Sequence, residues 1–209
     1  MFSRILVPLD GSQLAELALP YAEELAGAFN SELSLVYVCE SDEAQYRHMH
    51  QLYIEDMAGT AGKRIKRVSA EATVTAVILD GEPAVELVNY AEQNDIRLIV
   101  MATHGRSGVM LWAVGSVANK VLQRISMPMM LIRANVPAPR PSGKVMFGKI
   151  LVPLDGSSVG EAALPYVEEL TKKLESEVIL LQVVPNGQWA HTVGGLDYVR
   201  FPEHQLESL

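Results

Sequence analysis

The chain has 209 residues, 49% of them hydrophobic and 20% charged, with a formal net charge of -8. That acidity argues against broad electrostatic binding to nucleic acid, and no apolar run reaches the roughly 18 residues a membrane-spanning helix needs. Residues 1–5 lead straight into an apolar stretch with no signal-peptide layout, and the single cysteine, Cys39, has no intrachain disulfide partner; a cytoplasmic protein is expected.

Phe2–Leu9 is a short apolar run ending in Asp10, Gly11 and Ser12. It predicts a buried parallel strand feeding a turn. Ser12 can cap a helix in which Leu14, Leu17, Ala18, Tyr21, Ala22 and Leu25 share one face. Pro20 falls inside that helix and should bend it. Glu32–Cys39 reads as a second strand, and the polar stretch from Ser41 to Ala70 as containing a helix over Glu55–Val68. Thr73–Leu79 is a third strand. Asp80 to Pro83 forms a turn, with proline placed to start a helix through Asn94. Ile96–Ala102 is a fourth strand, Thr103–Val114 a glycine-bearing loop, Ser116–Ile125 a helix and Met129–Ile132 a fifth strand. Strands alternating with helices imply an α/β fold, an open, doubly wound five-stranded parallel sheet of Rossmann-like type. Such a sheet binds ligands beyond the carboxyl ends of its strands. Pro137, Pro139 and Pro141 then mark a stiff linker over residues 135–148.

Beyond the linker the sequence repeats. Arg4–Ser12 returns almost unchanged at Lys149–Ser157, 145 residues downstream (149 − 4). Glu16, Ala18, Leu19, Pro20 and Tyr21 align with Glu161, Ala163, Leu164, Pro165 and Tyr166. The repeat means one fold used twice, with a full domain over 1–134 and an incomplete copy over 149–209. In that copy, strands are expected at Lys149–Leu154 and Glu177–Val184, with a helix over Ser157–Leu174 between them. A β-α-β fragment buries too little apolar surface to stand alone. It is expected to pack against the first domain or another subunit.

The segment after the fourth strand carries the parts of a phosphate cradle. Gly105 lets backbone amides approach a ligand, and Arg106 adds positive charge. Gly115 and Ser116 open a helix whose N-terminus favours an anion. An ordinary glycine-bearing loop with Ser116 as N-cap is the competing reading, and residue chemistry alone leaves the two level. The segment matches neither a Walker A loop nor the dinucleotide fingerprint. Asp10, at the end of the first strand, can receive ribose hydroxyls or simply close its own turn. His104 lies in the loop and could touch phosphate, act as an acid–base group or cap the strand. His48 and His50 are two apart and do not share a helix face, so they read as a solvated loop or helix start, not a metal site. Cys39 reads as a small buried apolar residue. No hydrolase elbow, zinc-protease motif or Cys-x-x-Cys pair occurs.

The spacing of the loop resembles that of the universal stress protein family, whose nucleotide-binding members carry Gly-x2-Gly-x9-Gly-Ser/Thr after the fourth strand. Here Ala102 replaces the first glycine, and Gly105, Gly115 and Ser116 keep the rest. The opening strand with its Asp10-Gly11-Ser12 turn also resembles the family. The resemblance implies ATP or ADP binding, with Mg²⁺ accompanying the triphosphate. Its implied contacts are Pro8, Leu9, Asp10, Val38, Met101, Ala102, His104, Gly105, Arg106, Gly108, Gly115, Ser116 and Val117. Asp155 repeats Asp10 without the loop, so only the first copy can hold a complete site. The resemblance also implies a homodimer through the fifth strand and a nucleotide-dependent regulatory role in stress response with a protein partner unidentified. Two alternatives stay open: a slow ATPase or nucleotidyl-transfer enzyme, and a nucleotide-free interaction module.

Overall fold

The computed structural model describes residues 1–103, 114–133 and 147–183, and the backbone of 190–191 and 198–199. The chain divides into two units, Met1–Met146 and Phe147–Leu209.

The first unit is built on β1 (Arg4–Leu9), β2 (Glu32–Cys39), β3 (Thr73–Asp80), β4 (Leu98–Ala102) and β5 (Met129–Ile132), all parallel, in the order β3-β2-β1-β4-β5. Central strands of such a sheet must be apolar on both faces. In β1, accordingly, Ile5, Leu6 and Val7 are each fully buried. Leu6, Val36 and Ile99 pack on one face with Ala84, Leu87 and Ala91 of α4 (Pro83–Gln93) and with Ala118 and Val121 of α5 (Ser116–Leu122). The opposite face takes α2 (Leu19–Phe29) and α3 (Arg47–Ile65), whose Leu25, Ala26, Ile54 and Ile65 are buried.

Two helices differ from the sequence reading. Pro20 does not bend one continuous helix. The chain makes a short α1 (Gln13–Glu16), turns through Leu17 and Ala18, and restarts, so that Pro20 falls in the first turn of α2. There its missing N–H removes no intrahelical bond. The second difference is that α3 begins at Arg47, after a 3₁₀ turn over Ser41–Tyr46. The polar composition of its first turns hid it, because only Ile54, Ala61 and Ile65 of α3 are buried.

The second unit repeats the local plan. β6 (Lys149–Leu154) leads to α6 (Ser158–Glu161), then α7 (Leu164–Leu174) with Pro165 in its first turn, then β7 (Glu177–Gln182), which pairs in parallel with β6. Two further two-residue strands, β8 (Ala190–His191) and β9 (Tyr198–Val199), pair antiparallel; the sequence reading did not anticipate them.

Candidate functional site

The chain leaves β1 toward β2 and β3 on one side and reaches β4 and β5 on the other. Where the order reverses, the segments following β1 and β4 diverge and leave a crevice at their carboxyl ends. A cavity of about 270 Å³ lies there. Pro8, Leu9 and Asp10 form its β1 wall and Met101 and Ala102 its β4 wall. Val38 adds an apolar flank from β2, while Gly115, Ser116 and Val117 close the cavity at the start of α5. Residues nominated from the sequence at four separate places along the chain therefore share one cavity. His104, Gly105, Arg106 and Gly108 lie outside the described residues.

The β1 end is held by a local hydrogen-bond chain. Asp10 Oδ1 accepts from the Ser12 amide at 2.9 Å and the Ser12 hydroxyl at 2.6 Å. Ser12 Oγ in turn accepts from the Ala15 amide at 3.1 Å, capping α1. Gly11 supports this turn with φ 81°, a conformation that costs glycine little. The turn role and a ligand-facing position thus coexist in Asp10: the carboxylate is oriented by the turn and still lines the cavity.

On the other side, the amide of Thr103 donates to the Ile132 carbonyl at 2.8 Å, and the Gly115 amide donates to the Thr103 carbonyl at 2.6 Å. These bonds fix the entrance to α5 against the tips of β4 and β5. Gly115 itself is the N-cap, so Ser116 is the first helical residue and not the cap. Within α5 the first carbonyl acceptor, that of Gly115, receives the Asn119 amide at 2.9 Å. The amides of Ser116, Val117 and Ala118 therefore have no carbonyl partner inside the helix. Lys120 braces the same helix by donating to Glu82 at 2.9 Å. That bond, before any other cause, holds the Glu82 carboxyl below its ordinary range.

Several cavity residues were missed from sequence: Val36, Glu40, Glu43, Pro83, Leu87 and Thr103. Glu40 and Thr103 immediately follow β2 and β4, so extending the carboxyl-end rule by one residue would have found them. Pro83 and Leu87 come from the first two turns of α4, which no local motif marks. The cavity's apolar flanks and its polar ends suit a nucleotide, with a flat base beside Val36 and Val38 and polar groups near Asp10 and α5. Among the described residues no helix is long and apolar enough to cross a membrane.

Comparison with known proteins bears on the whole chain. The model of the universal stress protein family matches residues 1–133 and 146–208. The universal stress protein YxiE of Bacillus subtilis is 30% identical over 148 residues, covering 64% of this chain and all of that protein. A solved universal stress protein UspA from Lactobacillus plantarum superposes with a TM-score of 0.57 at 24% identity, covering 63% of this chain and 98% of that one. A universal stress protein from Archaeoglobus fulgidus covers more: 89% of this chain and 69% of its own, with a TM-score of 0.69 at 22% identity. These structural likenesses carry the fold.

Proposed function

The chain belongs to the universal stress protein family, and we propose that its first unit binds ATP or ADP and serves as a nucleotide-responsive regulatory module in a stress response. The observation that carries this reading is the cavity at the reversal of strand order, with Asp10 on one side and the entrance to α5 on the other. Ribose hydroxyls donate to Asp10, the base lies by Val36 and Val38, and phosphates meet the amides of Ser116 and Val117 together with Gly105 and Arg106 of the adjoining loop. Mg²⁺ enters with the triphosphate. Ala102, buried at the base of the cavity, replaces the family glycine with one methyl group.

The decisive experiment is calorimetric titration of the purified full chain with ATP and ADP, alongside Gly115→Phe. Gly115 has φ -57°, which any residue adopts, so the variant is expected to fold and to lose binding. Unchanged affinity in that variant would remove the loop from the site. Turnover should be very slow, because Asp10 Oδ1 is committed to Ser12 and is poorly placed to orient an attacking water. Several phosphates released per second, lost on changing His104, would favour the enzyme reading instead. Self-association through β5 belongs to the same proposal. Among the described residues that strand ends the sheet and pairs only with β4, leaving an edge that proteins usually cover. A monomer by light scattering at micromolar concentration would overturn that part.

A further inference from the structure

The carboxyl end of β2 presents two sets of side chains. Successive strand residues point to opposite faces, so Val38 turns toward the α4 side and the cavity while Tyr37 and Cys39 turn toward α3. The 3₁₀ segment that follows returns Glu43 over the strand end, and the first turn of α3 brings in His50. Cys39, Glu43 and His50 are the one group of three metal-ligating side chains among the described residues, with their donor atoms all within 4.8 Å of one another. The sequence offered only His48 as a neighbouring ligand for His50, and the two read as a solvated loop or helix start. The fold pairs His50 instead with residues seven and eleven positions earlier (50 − 43 and 50 − 39).

The separations inside this group are informative. Tyr37 Oη lies 3.4 Å from Glu43 Oε2 and 3.5 Å from His50 Nε2, while Glu43 Oε2 lies 3.8 Å from His50 Nε2. The first two are at the long limit of hydrogen bonding and the third is beyond it. Zinc bonds to sulfur, nitrogen and oxygen, set at tetrahedral angles, place the ligand atoms about 3.3–3.6 Å apart. The Glu43 and His50 donors, 3.8 Å apart, are thus within about 0.5 Å of such a separation, and the Cys39 sulfur, within 4.8 Å of both, needs to draw in by about 1.3 Å at most. Their supports are also those of a metal site. Tyr37 is fully buried, and its ring stacks on His50 with centroids 4.4 Å apart and planes at 17°, which fixes the imidazole. The nearby Arg47 guanidinium is turned to Asp80 by bonds of 3.0 and 3.1 Å.

We propose that Cys39, Glu43 and His50 bind a divalent cation of the zinc class at the edge of the nucleotide cavity, with one coordination position left for water or for a ligand. A mixed sulfur, nitrogen and oxygen donor set selects such an ion over Mg²⁺ or Ca²⁺, which take oxygen ligands. The cysteine thiol gives its proton to solvent as the metal–sulfur bond forms. Glu43 also lines the cavity, so the open position can be shared with whatever the cavity holds.

The test uses the full chain without nucleotide and Co²⁺ as an optical probe, followed by displacement with Zn²⁺. Cys39 is the only cysteine, so a thiolate-to-cobalt charge-transfer band reports this site alone. One equivalent of Co²⁺ per chain should produce the band, and Zn²⁺ should abolish it. Cys39→Ser should remove it. Glu43→Gln and His50→Ala should each weaken Co²⁺ binding by about 100-fold or more, and Tyr37→Leu, which removes the ring stacked on the imidazole, by about tenfold. His48→Ala should change nothing. Glu43→Gln preserves shape, so it decides the matter if the cysteine variant fails to fold by circular dichroism. Absence of the band in the folded wild type, or its survival unchanged in Glu43→Gln or His50→Ala, overturns the site. ATP affinity plays no part in this readout, so its outcome is independent of the nucleotide reading.

Discussion

The segments Arg4–Ser12 and Lys149–Ser157 differ at one residue in nine and take the same local structure in different surroundings. In both, an aspartate Oδ1 accepts from the serine amide at 2.9 Å and the serine hydroxyl at 2.6 Å. Gly11 and Gly156 have φ of 81° and 80°. The helix breaks over the two residues before each Leu-Pro, and the following helices end in left-handed Asn30 and Glu175. Burial departs from this likeness. Leu6 is fully buried, while its counterpart Leu151 is 57% exposed; Leu35 is fully buried, while Leu180 is 60% exposed. Turn and cap chemistry is written in adjacent residues, whereas a core and a ligand cavity need strands from elsewhere in the chain. In the first unit, β1 has β2 on one side and β4 on the other; among the described residues β6 pairs with β7 alone.

The largest test of that contrast is truncation of the matched leucines. Leu6→Ala should lower the stability of the first unit by about 2–5 kcal/mol, the cost of a cavity in a closed core. Leu151→Ala should lower that of the second by under about 1 kcal/mol, since most of its area is already wet. Hydrogen exchange of β1 and β6 amides in the full chain separates the two effects. Equal losses would mean that the second unit is buried as well as the first. Next in size is the matched aspartate pair. Asp10→Asn keeps an oxygen for the Ser12 turn but weakens charge-assisted acceptance from ribose, so ATP affinity should fall by about tenfold. Asp155→Asn should leave it unchanged. A fall in both variants would assign a nucleotide to the second copy.

The same contrast explains what could be read from the sequence. The strands of the sheet and their alternation with helices were legible because apolar runs such as Ile5–Val7 are needed wherever a parallel strand is covered on both sides. Asp10, Gly115 and Ser116 were legible because they stand at strand and helix ends. The start of α3 was hidden because a helix that buries only a few residues leaves little period to detect. The restart at Pro20 was hidden because proline suits a first helical turn as well as it opposes a helix interior. Leu87 of the cavity and the meeting of Cys39 with His50 depend on packing between elements, for which no single window carries a signal.

A smaller effect should be equal in both copies. Ser12 and Ser157 cap their helices by accepting from the Ala15 and Gly160 amides at 3.1 and 3.0 Å. Replacing either with alanine should cost its own unit about 1 kcal/mol. Hydrogen exchange at α1 and α6 would measure this, and a clear inequality would show that the caps are not locally determined.

The smallest effect concerns sign. Glu23 and Glu168 occupy equivalent positions (168 − 23 = 145) and are pushed in opposite directions. Burial raises the Glu23 carboxyl above its ordinary value, and the nearby Arg64, bonded at 3.3 Å, offsets this only in part. A bond of 2.7 Å from Lys172, four residues on, lowers Glu168. Because its folded value is raised, Glu23 favours the folded state at low pH, and this contribution is lost as pH rises from 4.5 through the folded value. Glu168 does the reverse: its contribution is present above 4.5 and lost as pH falls through its lowered value. Carboxyl-resolved NMR titration should therefore find Glu23 above 4.5 and Glu168 below it. Lys172→Ala should return Glu168 toward 4.5 and leave Glu23 where it was. Coincident titration of the two would mean that burial does not distinguish the copies at this position, and the exposure difference between their strands would then have to be sought elsewhere than in their helices.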